Sequence, residues 1–350
     1  MIINHLKINQ FKCLGDENLT FKNLTILTGL NSAGKSSVIQ SILLMSHYFG
    51  EKKFLSENLL DFTNNRNKYL NAKAFSIEID GICLTKNIDA TEIDGIYLTE
   101  NIDATNPQGH LPHFTIEQNL FHVDANRLGP EELALYSSEN KIGKQGEFIF
   151  SYYEKNKSNV IEKSLIKSAN SDTLQSNLDY WLSYILDCEV ELSTERVVTS
   201  HVKVSYQFNK LQAISPESLG AGTSYVAKIL IVCLLAKKDQ VLLIENPEIH
   251  LHPKAQAKLG EFFAFIANNG VQVVLETHCE NLIDKIRYEV YKNNIHNNDV
   301  VIYYKEDSKT PFEKIEIDGR GHFIRENKET NDNFPASFFG TNLTELLEMG

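Results

Sequence analysis

An α/β fold built around a phosphate-binding loop is what this sequence predicts, and three observations predict it. The stretch Gly29-Leu-Asn-Ser-Ala-Gly-Lys-Ser36 has the spacing G-x-x-x-x-G-K-[ST]. It lies between the apolar, β-rich Leu24-Thr-Ile-Leu-Thr28 and the helix-like Ser37-Val-Ile-Gln-Ser-Ile-Leu-Leu-Met45, the context in which that spacing means a P-loop. In the second half of the chain, short buried strands alternate with helices, the mark of a parallel sheet covered on both faces. Consecutive N–H groups of such a loop, with the helix N-terminus behind them, cradle phosphate oxygens. Lys35 is spaced to reach the β- and γ-phosphates and Ser36 to ligate Mg²⁺, so a nucleoside triphosphate is the expected ligand.

The first elements are strands over Leu6–Lys12 and Leu19–Leu27 around a turn containing Gly15-Asp16, followed by the loop and a helix to about Phe49. Glu51–Tyr69 is polar and expected to be helical in part. Glu78–Thr91 is then repeated almost unchanged as Glu92–Thr105. Two copies are too few for a solenoid and read as a tandem duplication inside a strand-turn-strand excursion. Its aspartates, Asp80, Asp89, Asp94 and Asp103, lack calcium-loop spacing and are expected to be solvated. Phe114–Asp124 reads as a strand, Ala125–Pro130 as a loop, and Gly143–Phe150 as a turn entering a strand. Leu174, Leu178, Trp181, Leu182 and Ile185 recur at helical spacing, and Val202, Val204, Tyr206 and Phe208 alternate as in a half-buried strand. Beyond them come a glycine-opened helix (219–235), a buried strand (241–244), a helix (253–267), a buried strand (271–276) and a helix (280–293). Strands near 300–304 and 312–317 and a terminal helix complete the expectation.

Composition narrows the classes. The 350 residues suffice for one large α/β domain or two smaller ones, with 42% hydrophobic and 23% charged residues. Cys13, Cys83, Cys188, Cys233 and Cys279 are scattered and never form C-x-x-C, which argues for cytosolic thiols over a disulfide framework or zinc site. The N-terminus lacks a signal-peptide core, and the run Ile229–Ala236 is too short to cross a bilayer, so a cytoplasmic protein without membrane contact is expected. A formal charge of -12 disfavours general nucleic-acid binding and leaves DNA to a local groove or a partner.

Further motifs carry chemistry. Val241-Leu-Leu-Ile-Glu245 is an apolar strand that presents a carboxylate at its C-terminal edge, as a Mg²⁺ ligand requires. Val273-Val-Leu-Glu-Thr-His278 delivers a histidine at a strand tip, where it could sense a γ-phosphate. Glu217–Tyr225 opens a long helix with glycines, a second anion-binding terminus. His250 and His252, with Glu248, do not match the H-E-x-x-H face and are read as structural or D-loop-like residues of a dimer interface.

These residues, in this order, resemble the ABC-type ATPase heads of the RecF/SMC-like group, and more narrowly the stand-alone bacterial ATPases related to the OLD (overcoming lysogenisation defect) family. The likeness extends to Ile8–Lys12, to Asn126–Pro130 with Gly143–Glu147, and to Phe334–Phe339. It implies a mixed central sheet flanked by helices, with an α+β insertion between the P-loop helix and the signature helix. The implied lobes are 1–50, 51–212 (with the duplication at 78–105) and 213–350. It implies a homodimer, or a higher oligomer, closing around ATP and Mg²⁺. Phosphates would meet Gly29, Asn31, Ser32, Ala33, Gly34, Lys35, Ser36 and Ser37, and from the other protomer the signature residues Gly220, Ala221, Gly222, Thr223 and Ser224. Glu245 would be the Walker B carboxylate, His278 the switch histidine, and Phe11 and Lys12 would lie near base and ribose; Gln118 is the candidate Q-loop glutamine.

Two departures stand out. The signature reads Leu-Gly-Ala-Gly-Thr where the family usually has Leu-Ser-Gly-Gly-Gln, leaving its serine contact to Thr223 or Ser224. Asn246 stands where the family carries a water-orienting glutamate, and an amide can bind water but not deprotonate it. Slow hydrolysis is expected unless Glu248 or His278 acts as base. The resemblance points to an ATPase working beside a separate effector, such as a nuclease, in anti-phage defence or DNA surveillance. The segment between the P-loop helix and the signature helix shows no sustained heptads, so no long coiled coil is expected there, and no Toprim nuclease of the OLD kind is expected beyond the terminal helix. An ATP-gated scaffold with negligible turnover and a RecF-like repair ATPase are the alternatives; a P-loop kinase would leave the glycine-opened helix unexplained.

Overall fold

Every residue of the strand leading into the glycine loop is buried, so that strand needs cover on both faces. A computed structural model of the chain describes residues 2–49, 61–87, 96–100, 115–325 and 334–335. Two compact units form, Met1–Asn119 with Asn297–Gly350, and Leu120–His296.

The first unit holds an antiparallel sheet in which β1 (His5–Asn9) lies between β2 (Asp16–Thr20) and β4 (Ala74–Ile79), continued by β5 (Ile82–Asn87) and β6 (Ile96–Glu100). Leu6 and Ile8 are buried between exposed His5, Lys7 and Asn9, the alternation of a strand covered on one face. The loop strand is β3 (Leu24–Gly29), which pairs in parallel with β13 (Val300–Lys305). Strands β14 (Glu313–Ile317) and β15 (Phe323–Arg325) follow antiparallel, giving a mixed sheet. Helix α1 (Lys35–Phe49) packs on β3 and β4, and α2 is the single turn Phe62–Asn65.

The second unit is built on three parallel strands, β11 (Val241–Glu245) between β7 (Leu120–Val123) and β12 (Gln272–Glu276). A separate antiparallel sheet orders β8 (Leu133–Leu135), β10 (His201–Phe208) and β9 (Val190–Val198). The helices are α3 (Ile149–Asn156), α4 (Leu174–Leu186), α5 (Ala221–Leu235), α6 (Pro253–Asn268) and α7 (Glu280–Tyr291). Thr173 caps α4 by accepting from Ser176 N–H, and α6 begins with His252 as cap and Pro253 in its first turn. Helices α6 and α7 approach so closely that a Cβ on Gly260 would lie 2.6 Å from the Leu282 carbonyl oxygen.

Four expectations are corrected. Leu19–Leu27 is not one strand: Thr25 Oγ1 accepts from Lys22 N–H (3.0 Å), making a turn that sends β2 and β3 into different sheets. The first strand stops at Asn9, because Gln10 and Lys12 adopt left-handed φ of 52° and 54°. Gly143–Phe150 enters a helix, not a strand, and the spacing of buried Ile149, Phe150 and Tyr153 is that of α3. The stretch expected as one strand up to Asp124 is interrupted by a turn at 117–119, with Glu117 at φ 68°, and the strand β7 begins only at Leu120.

The duplication pairs with itself. Strand β5 of the first copy runs antiparallel to β6 of the second, with Leu84 opposite Leu98, its counterpart fourteen positions on. Asp80, expected to be merely solvated, accepts from the N–H groups of Asn4 (3.0 Å) and His5 (2.7 Å) and so fixes the entry to β1. Asp89, Asp94, Asp103 and the expected terminal helix lie outside the described residues.

One half-buried carboxyl is expected to make stability depend on pH. Asp179 on α4 accepts from Leu192 N–H at 3.0 Å, and burial pushes its carboxyl up to about 7. A raised folded-state value gives stability that is complete below the unfolded value near 4 and is lost as pH rises through about 7. The melting temperature is therefore expected to fall between pH 5 and pH 8, by calorimetry, and Asp179→Asn to flatten that dependence.

Candidate functional site

The loop after β3 is shaped by backbone constraints that only glycine satisfies. Gly29 has φ 132°, and a Cβ there would lie 2.0 Å from the Lys305 carbonyl oxygen; Gly34 has φ 116°, and its Cβ would meet Leu14 Cδ2 at 2.6 Å. Leu30 N–H donates to that same Lys305 oxygen at 3.0 Å. The Lys305 side chain forms a buried ion pair with Glu17, whose other oxygen accepts from Phe312 N–H at 3.0 Å. Lys35 is 3% exposed, and its ammonium donates to the carbonyls of Leu30 (2.7 Å) and Gly29 (3.2 Å). A cation thus sits inside the loop, while Asn31 and Ser32 are exposed, Ser36 is half-buried, and Ala33 and Ser37 are buried. Narrow glycine turns, a lysine within the loop and a hydroxyl at the helix start form a donor set suited to a phosphate chain with its metal.

Phe11 and Lys12, expected near a base, behave differently from each other. Phe11 is fully buried, edge-on to Phe75 at 5.3 Å, so its ring is core. Lys12 donates to Gln40 Oε1 on α1, and burial lowers its ammonium pKa.

In the second unit, Glu245 ends β11, and its Oε1 lies 2.9 Å from His122 Nε2 on β7. Asn246 follows in left-handed conformation (φ 43°); its N–H donates to Glu276 O at 2.7 Å, and its Oδ1 is buried without a hydrogen-bond partner. Glu248 Oε1 accepts from His278 N–H at 3.0 Å, and burial raises the Glu248 carboxyl pKa. The structure therefore brings Glu245, Asn246, Glu248 and His278 together at the C-terminal ends of β11 and β12, with His278 exposed. His252 is the α6 cap, and His250 stacks on Tyr225 with ring centroids 5.2 Å apart. Among the described residues no cluster of three or more His, Cys, Asp or Glu is disposed to hold a metal on its own.

The glycine-opened helix starts at Ala221, with exposed Gly220 as cap. Gly222 lies against the chain after β11: its Cβ would be 2.5 Å from the His250 carbonyl oxygen. Ser224 points inward, within 3.4 Å of the Tyr206 hydroxyl, and is 1% exposed. Of the two hydroxyls considered for the missing signature serine, only Thr223 is partly exposed.

Sequence reasoning missed two residues. His122 looks like any polar residue within a short strand. Arg127 lies in a segment read only as a loop and as part of the family likeness, with no role of its own. Its guanidinium donates to the carbonyls of Asp124 (3.2 Å), Glu245 (3.0 Å) and Asn246 (3.0 Å) and lies over the Tyr225 ring.

A P-loop between a buried strand and a helix, and a carboxylate-tipped parallel strand, define a P-loop NTPase. Comparison with known proteins narrows the class. Residues 120–284 match the family described as "AAA domain, putative AbiEii toxin, Type IV TA system". Over 100 residues the chain is 28% identical to a "Putative ABC transporter ATP-binding protein" of Methanosarcina acetivorans, a match covering 28% of this chain and 36% of that one. That match spans about a third of the relative. Among solved structures, the SMC head bound to the C-winged helix domain of ScpA has a TM-score of 0.56 at 13% identity, covering 91% of this chain and 98% of that one. A Smc head with an extended coiled coil, bound to the C-terminal domain of ScpA derived from Pyrococcus furiosus, has 0.55 at 12% identity, covering 90% and 96%. In fold, this chain is similar to these SMC heads, a mixed sheet flanked by helices. No helix among the described residues is long and apolar enough to cross a membrane.

The start of α5 generates a paired prediction. A Cβ at Gly222 meets backbone, whereas one at Gly220 (φ -60°) meets nothing within 4 Å. Gly222→Ala is therefore expected to cost roughly 1–3 kcal/mol in denaturant melts and Gly220→Ala less than about 0.5 kcal/mol.

Proposed function

We propose that this chain binds ATP with Mg²⁺ and hydrolyses it slowly, dimerising around the nucleotide to control a separate effector. Phosphates would be held by Gly29–Ser37 and, across the dimer, by the helix start at Gly220–Thr223. Ser36 and Glu245 would ligate the metal, with His278 at the γ-phosphate. Bound Mg²⁺ would supply charge neutralisation for the phosphates. The carrying observation is Lys35, a nearly fully buried ammonium bonded to carbonyls of its own glycine loop.

Slow turnover is supported by Asn246, whose buried, unpartnered Oδ1 can orient a water but cannot take its proton. The same observation favours a second reading, an ATP-gated scaffold in which binding alone is the switch. An effector in anti-phage defence or DNA surveillance, a nuclease being the leading candidate, follows from the resemblance and is in keeping with the toxin–antitoxin wording attached to the matching family. Cytoplasmic location and DNA contact only through a local groove or a partner complete the proposal.

Turnover and mass decide between the readings. Lys35→Ala is expected to abolish ATP binding. Asn246→Glu is expected to raise turnover by ~10²-fold or more, within the range a general base contributes. Light scattering should show a doubling of mass with ATP in the wild type but not in Lys35→Ala. Unchanged mass and no hydrolysis in any variant would sink the ABC-dimer proposal, whereas tight binding with no turnover even in Asn246→Glu would select the scaffold.

A further inference from the structure

Arg127 has no part in the function proposed above, yet it is only 3% exposed and its hydrogen bonds go to main-chain carbonyls. Burying a guanidinium is costly, and burial lowers its pKa even with Tyr225, Glu248, Asp124 and Glu245 nearby. Among the described residues no acid pairs with it directly; the carbonyls of Asp124, Glu245 and Asn246 accept its hydrogen bonds, and its Nε is buried without a partner. Two of those carbonyls belong to the end of β11 and the residue after it. Asn246 is thus held on both sides, its N–H on Glu276 O and its C=O on Arg127, in a left-handed conformation that costs energy for a non-glycine residue.

The other face of the guanidinium continues into helix α5. Its carbon lies 5.0 Å from the Tyr225 ring centroid, and that ring stacks on His250, itself at φ 62°. One turn further along α5, Lys228 is fully buried and donates to Leu128 O (3.0 Å) and Glu131 (2.7 Å), fastening the Arg127 loop to the helix from below. At the helix start, Gly222 touches the His250 carbonyl. The Arg127 loop, the Asn246–His250 segment and the opening of α5 are therefore joined by these contacts into one cluster.

We infer that Arg127 is a positioning residue for ATP hydrolysis: it clamps the Glu245–Asn246 turn to the opening of helix α5, so that the aim of Asn246 and the placement of that helix change together. This rests on the ATPase reading and adds to it a route by which the helix start that meets one nucleotide governs the hydrolytic residues that serve another.

Arg127→Lys tests the clamp, because an ammonium keeps the charge but loses the planar fork that spans two successive carbonyls. Tyr225→Leu tests it from the other side and keeps all the guanidinium hydrogen bonds. Hydrolysis is read in single turnovers with protein in excess, affinity by titration with a fluorescent ATP analogue, and folding by thermal melts. Both variants are expected to bind ATP within about twofold of wild type and to hydrolyse it ~10–10²-fold more slowly, the scale of a misplaced reacting group. Hydrogen exchange should quicken in 244–251 and stay unchanged in 29–37. A folded variant with wild-type hydrolysis overturns the inference, as does affinity lost in step with rate. If Arg127→Lys does not fold, Tyr225→Leu decides by the same criteria. Wild-type protein that binds no ATP overturns the underlying ATPase reading instead, a result visible before any variant is made.

Discussion

The phosphate loop depends on what lies behind it, the buried ion pair between Lys305 and Glu17. Lys305 ends β13, its carbonyl bonds Leu30 N–H, and its main chain leaves Gly29 no room for a side chain. The side chain of that residue is anchored to Glu17 on β2, in the other sheet of the same unit, and Glu17 in turn holds Phe312 N–H. A second link runs beside it, where the Tyr303 hydroxyl meets both the N–H (2.8 Å) and the carbonyl (3.1 Å) of Thr20. Two charges removed from water gain little net stability, but taking away one partner strands the other at a cost of ~3–5 kcal/mol. Such a pair favours one geometry over near alternatives, which is what a loop with backbone clearances of this kind needs.

The second unit solves a related problem with different chemistry. Its strand end is not braced by an ion pair but by a guanidinium on carbonyls and a histidine on the carboxylate. Carbonyl partners leave the charge of Glu245 available to a cation, whereas a direct Arg–Glu pair would consume it. The His122 contact occupies one carboxylate oxygen and so orients the other. Asn246 and Glu248 each keep a buried oxygen without a partner, the expected state of groups whose partner is a water or a ligand.

Much of this was legible in the sequence, for identifiable reasons. The P-loop was readable because glycine, lysine and serine at fixed spacing are each required by backbone geometry or charge. Strands β11 and β12 were readable because full burial forces unbroken apolar runs. The Leu19–Leu27 break was not, since a threonine closing a turn on Lys22 has the same composition as a strand threonine. Helix α3 was misread because glycines at 143 and 146 mark a turn and are equally at home before a strand or a helix. Phe11 and Ser224 carried family roles in the sequence, but which way a side chain points is decided by packing partners on other elements, here Phe75 and Tyr206. Arg127 and His122 were invisible for the same reason: their value comes from strand neighbours more than a hundred residues distant, at Glu245 and Asn246.

The self-pairing of the duplicated segment bears on how this chain tolerates change. Because Leu84 pairs with Leu98, the second copy supplies a whole strand, β6, outermost among the described strands of this sheet. The register between β1 and β4, where Leu6 meets Ile79 and Ile8 meets Ile77, is two strands inward from that rim. A sheet that grows by whole units at its margin can gain or shed fourteen residues while the strand leading to Phe11 and the phosphate loop keeps its footing. The rim is thus a place where this lineage can experiment with length at little cost to nucleotide chemistry.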